Sequence, residues 1–175
     1  MKKFLILGLV ALLLVTGGMF TYTWTTATTS IAITAPDSDF AEIDAGAGPT
    51  VPTIFGKFTG TWPNGTLFTI DPHDDYTGDL VIKVYIVNTG QLIRHYHHCN
   101  MLLEFQDNNG VKVDEQEIGQ LLNMQNATVE FTWANGTGDI PYKVELVGGS
   151  FRVHRWKALT GSSVSPQIWA EITQR

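Results

Sequence analysis

The chain has 175 residues, 17 acidic against 11 basic, and a net charge of −6. That length fits one domain, and the acidity disfavours nucleic acid, whose phosphates require basic patches. A single cysteine, Cys99, excludes an internal disulfide, so the fold must rest on its core, on a metal or on assembly.

Residues 1–20 follow the plan of a secretory signal. Lys2 and Lys3 give a positive start, Phe4 to Val15 is almost unbroken apolar sequence, and Thr16-Gly17-Gly18 closes the run with small residues. If the segment is cut, Thr16-Gly17-Gly18 or Thr25-Thr26-Ala27 supplies the site. If it is retained, Phe4 to Trp24 is long enough to span a bilayer, with Tyr22 and Trp24 at the interface. Either outcome places the rest of the chain extracellularly or at the cell surface, with membrane contact through residues 4–24 in the second case. Removing the two lysines takes the 11 basic residues to 9 against 17 acidic ones and the charge from −6 to −8.

Residues 22–34 are uncharged and rich in Thr, Ile and aromatic residues, and Ser30 to Thr34 alternates polar and apolar, which predicts a strand. Residues 35–53 are dominated by Pro, Gly, Ala and Asp and predict a linker, with the main domain over 54–175. In that domain Phe55 to Trp62 and Leu67 to Ile70 flank Pro63-Asn64-Gly65-Thr66, a hairpin signal. Strands follow at Asp79 to Val87, Cys99 to Gln106, Val111 to Glu117, Ala127 to Trp133, Tyr142 to Val147, Phe151 to Lys157 and Gln167 to Thr173. Asp107-Asn108-Asn109-Gly110 reads as a turn, and one short helix is expected near Ile118 to Met124. Turn signals about every ten residues predict an all-β sandwich or barrel, of which the sandwich is the expected form. Its expected core is Phe58, Val81, Val84, Ile86, Leu103, Phe105, Val129, Phe131, Val144 and Leu146.

Two groups of residues are candidates for chemistry. In His95-Tyr96-His97-His98-Cys99, a strand would aim His95, His97 and Cys99 to one side, a set suited to zinc or copper. His73-Asp74-Asp75 or His154 is placed to add a fourth ligand if the fold brings it close. The alternative is that Cys99 is a buried small apolar residue and the histidines lie on an exposed edge. Three Asn-x-Thr sequons, at Asn64, Asn126 and Asn135, sit beside predicted turns and are glycosylation candidates. The sequence contains no His-Glu-x-x-His, no Gly-x-Ser-x-Gly and no phosphate-binding glycine loop, so no enzyme activity is expected.

Gly17-Gly18-Met19-Phe20-Thr21-Tyr22, followed by a Thr-rich stretch, resembles the signal-peptide end of the TasA/camelysin family. The segment Gly78-Asp79, alternating strand, Asn88-Thr89-Gly90, then Leu92 is similar to a second stretch of that family, as is Pro72 shortly upstream. The family's aspartate soon after the first Tyr and its Thr-Ala-Gly-Thr-Leu segment are missing. The resemblance implies an Ig-like or jelly-roll β-sandwich that serves as an extracellular subunit of biofilm or pilus-like fibres. It agrees with self-association through residues 22–34, a strand-prone segment on a linker of about nineteen residues that reaches roughly 60 Å when extended. That strand otherwise folds back onto its own domain or stands as a membrane-proximal stalk. The competing reading is a membrane-anchored extracellular binding module for carbohydrate or metal. It rests on Trp62, Trp133, Trp156 and Trp169 together with the His95 to Cys99 run.

Overall fold

The computed structural model describes residues 29–34, 40–51, 58–74, 76–119, 127–135, 140–160 and 164–175. The expected signal or anchor, most of the 22–34 strand and Asn126 lie outside them. The described chain is mostly strand, in two main sheets that share one core, as a sandwich-like all-β protein should be.

The elements in chain order are β1 (Thr29–Ser30), β2 (Ala32–Thr34), β3 (Ala41–Ala45), β4 (Thr50–Val51), β5 (Thr59–Thr61), β6 (Gly65–Pro72) and β7 (Leu80–Ile86). Then come α1 (Thr89–His95), β8 (Tyr96–Gln106), β9 (Lys112–Gly119), β10 (Thr128–Trp133), β11 (Tyr142–Val153), α2 (Arg155–Thr160) and β12 (Gln167–Gln174). One sheet has the order β10-β7-β12-β2. The other runs β3-β6-β11-β8-β9, with β5 also on β11, and β1 and β4 form a small third pair. All pairings are antiparallel except that of β2 with β12, which is parallel.

Period-2 alternation sets which residues face inward. In β7 the buried set is Leu80, Ile82, Val84 and Ile86, so Val81, an odd step from Val84, lies on the other face. That removes Val81 from the expected core, and Phe58 leaves it too, at 41% exposed. The other eight expected core residues are buried. The sheets meet through aromatic rings: Phe105 of β8 stacks on Phe131 of β10 at 5.7 Å, and Trp133 of β10 meets Tyr142 of β11 edge-on at 6.0 Å.

Three expectations about the elements are corrected. Pro63-Asn64-Gly65-Thr66 does not turn a hairpin. β5 and β6 run in the same direction along the same side of β11, at Ser150–Arg152 and Tyr142–Leu146. Pro63 has no N–H to give to the ladder, so Trp62 to Asn64 interrupt the run of chain along β11 instead of reversing it. The 35–53 stretch is not merely a linker, because β3 pairs with β6, β4 pairs with β1, and Ala41 and Val51 are buried. Among the described residues the helices are α1 and α2; Ile118 and Gly119 close β9, while Gln120 to Met124 of the expected helix lie outside the described residues, and Arg155 to Lys157, expected as strand, belong to α2. Leu92 and His95, three residues apart, give α1 a buried face. Asn88 ties its start to β12 by accepting from Gln167 N–H (2.9 Å) and donating to Ser165 O (2.8 Å). The Asp107 turn forms as expected. The Asp107 carboxylate accepts from the N–H groups of Asn109 (2.9 Å) and Val111 (2.8 Å), and Gly110 takes φ +78°.

Candidate functional site

The sheet containing β12 has an uneven margin. β7 covers Ile168–Gln174 on one side of β12, but β2 covers only Gln167–Trp169 on the other. Among the described residues, Ala170–Gln174 have no strand partner on that outer side. The open stretch carries one charge, Glu171, which accepts from the Tyr85 hydroxyl, whereas other sheet margins carry more charge that opposes pairing with a second chain: Glu42 and Asp44 on β3, and Asp114, Glu115 and Glu117 on β9.

The histidine run sits where α1 passes directly into β8. His95 is the last residue of α1, not a strand residue, and is buried. The register of β8 against β11 then slips, with Val153 opposite Tyr96 and Arg152 opposite His98, so His97 is the extra residue of a bulge. A bulge breaks the two-residue alternation. Tyr96 and Cys99 therefore face the core, while His97 faces solvent. His95, His97 and Cys99 do not share a side, which corrects the expected ligand geometry. No group of three or more His, Cys, Asp or Glu able to hold a metal ion occurs among the described residues.

The electrostatics fit this placement. Burial pushes the Cys99 thiol up to about 12, so it stays protonated and is a poor metal ligand. Burial, with Lys157 and His154 nearby, lowers His95 to about 4 and keeps it neutral at pH 7. Both of its ring nitrogens are buried without a hydrogen-bond partner among the described residues, and its ring packs edge-on against Tyr96 at 4.6 Å. His97 is held below the usual histidine range by partial desolvation, His154 and Arg152. The His97 and His154 rings lie 3.9 Å apart, and His154 Nε2 sits 3.3 Å from the Ile93 carbonyl oxygen.

Beside this pair a cleft of about 290 Å³ opens between the ends of β8 and β11, lined by Phe58, His97, Arg152, Val153 and Arg155. The sequence joins His154 to the histidine run as a candidate fourth metal ligand but gives no such reason to add Arg152 or Arg155. The available signal is the run Phe151 to Lys157, in which four of seven residues are Arg, Lys or His. On the outer face of β8, Asn100 Oδ1 accepts from Ser150 N–H (2.9 Å), and its amide donates to Glu117 (3.0 Å). His98 Nε2 is 3.0 Å from both Asn100 Oδ1 and Ser150 Oγ. That is a nucleophile–base distance, but His98 Nδ1 has no partner to orient the ring, so the triad arrangement is incomplete among the described residues.

Asn64 and Asn135 are exposed, as an acceptor for glycosylation requires, and the Asn135 amide donates to Thr77 O at 3.0 Å. Of the four tryptophans considered for binding, Trp62 and Trp133 are in the core, Trp169 is half-buried and Trp156 is 58% exposed. No helix among the described residues is long and apolar enough to cross a membrane. The chain matches no protein-family model and no curated protein.

Proposed function

We propose that this protein is an exported surface structural subunit, non-enzymatic, that assembles into fibres by β-strand addition. The observation that carries the reading is the outer margin of β12. It is met by a three-residue parallel strand from the N-terminal segment and, among the described residues, is open over Ala170–Gln174. Unpaired N–H and C=O groups on such a margin accept another strand, and backbone pairing is indifferent to which copy supplies it. Residues 22–34 are uncharged and β-branched, a composition suited to that role, and head-to-tail repetition of the exchange builds a filament. The apolar segment before them places the domain outside the cytoplasmic membrane, either released or anchored. On this reading the two sheets form an Ig-like or jelly-roll sandwich of the TasA/camelysin type.

The test is deletion of residues 22–34, with particle size followed by light scattering. The expected result is an assembly that becomes a folded, less stable monomer, whose stability is restored by a synthetic peptide of residues 22–34 without regrowth of large particles. Assemblies of unchanged size, or a monomer both before and after deletion, would refute the proposal.

A further inference from the structure

Three of the eleven basic residues of this acidic chain lie within six positions of one another. Arg152 is next to the last residue of β11, Arg155 and Lys157 lie on α2, and the His97 and His154 rings meet at 3.9 Å, tilted by 48°. The three ion pairs among the described residues all use Lys83 or Lys112, so neither Arg152 nor Arg155 meets a carboxylate there. The segments that adjoin Phe58 and α2 in the sequence, residues 52–57 (PTIFGK) and 161–163 (GSS), contain no carboxylate. In a protein of charge −6, two guanidiniums that meet no carboxylate among the described residues leave a local positive field.

The cleft that these arginines line also presents Phe58, an aromatic ring 41% exposed, with Val153 buried beside it. The guanidinium is a planar, permanently charged fork that matches a carboxylate in a bidentate way. An exposed ring next to it offers a flat apolar surface. A volume of about 290 Å³ lies at the small end of ligand sites and suits one ring-sized group.

We propose that this cleft binds a sugar acid, its carboxylate on Arg152 and Arg155 and the apolar face of its ring on Phe58. The inference is independent of strand exchange, because the cleft is built from β8, β11, α2 and the residue before β5, and not from β1, β2 or β12. His97 makes the binding pH-dependent. In the empty cleft Arg152 and His154 oppose its protonation, Arg155 lines the same cleft, and Lys157 and His154 act in the same sense on the neighbouring His95. A bound anion offsets that repulsion, so affinity rises as pH falls.

Equilibrium dialysis of the full chain against labelled glucuronate, glucose and inorganic phosphate tests this at low ionic strength. Glucuronate is expected to bind saturably, at least tenfold tighter than glucose, and severalfold tighter at pH 5.5 than at pH 7.5. Arg152→Gln and Arg155→Gln, both at exposed positions, should each weaken glucuronate about tenfold, while Lys143→Gln on the distant end of β11 leaves it unchanged. Phe58→Ala should weaken glucuronate but not phosphate. Retained far-UV circular dichroism spectra confirm that the variants fold. Glucuronate binding no tighter than glucose, or unaffected by both arginine substitutions, would overturn the site. Phosphate binding as tight as glucuronate, with no effect of Phe58→Ala, would overturn the sugar-acid assignment.

Discussion

His95 makes the protein sensitive to acid, and the size of the effect follows from its surroundings. It is 1% exposed, its folded-state value lies near 4, and a histidine in the unfolded chain titrates near 6.5. Between those values the unfolded state binds more protons than the native state, so stability falls as pH falls. The contribution is fully present above pH 6.5 and is lost progressively on the way down through pH 4. At pH 4.5 the loss relative to pH 7 is about 2–3 kcal/mol, a large share of a small domain's stability. His95→Phe should remove this sensitivity while keeping a ring against Tyr96. Because both ring nitrogens lack partners, the substitution breaks no hydrogen bond among the described residues and should leave stability at pH 7 unchanged or higher by about 1 kcal/mol. His95→Leu guards against overpacking by the larger ring. The assay is urea unfolding followed by tryptophan fluorescence at pH 7, 5.5 and 4.5. If wild type and both variants lose stability in parallel, His95 is not buried as a neutral group and the reasoning fails.

Four further outcomes are expected. Gly149→Ala should cost about 2–4 kcal/mol in urea unfolding, because φ is +121° and the new Cβ would lie 2.3 Å from the Asn100 carbonyl oxygen; the neighbouring Gly148→Ala, with open space, should stay within about 1 kcal/mol. Phe105→Ala should cost about 3–5 kcal/mol by thermal and urea unfolding, since the ring stacks on both Phe131 and Tyr142 in the centre of the core. Asp107→Ala, which strands two backbone N–H groups of the β8–β9 turn, should cost about 1–2 kcal/mol and speed amide exchange at Val111. Cys99 should resist a thiol reagent in the native protein at pH 8 and react only at the rate of unfolding, because it is buried and its thiol is pushed up to about 12.

Strand character, the Asp107 turn and most of the core can be read from the sequence, because they depend on interactions within a few residues. β-branched content, two-residue alternation and an Asp-Asn-Asn-Gly turn act locally, and the buried faces of β10 and β11 follow directly. Partner choice depends on long-range pairing and cannot be read that way. Pro63-Asn64-Gly65-Thr66 has the composition of a hairpin turn, yet β11 pairs with both flanking strands and keeps them pointing the same way. The Pro- and Gly-rich stretch before the domain looks like a linker, yet β6 recruits Ala41–Ala45 from it as an edge strand. The histidine run shows the same division. Its composition suggested metal ligands in alternation, but one inserted residue opposite β11 turned His97 outward and left Cys99 inside, and His95 belongs to α1 and not to the strand. Register against a distant strand decided which side chains meet. It brought His97 to His154 and Arg152, residues more than fifty positions away, because strand pairing is set by contacts that no local window contains.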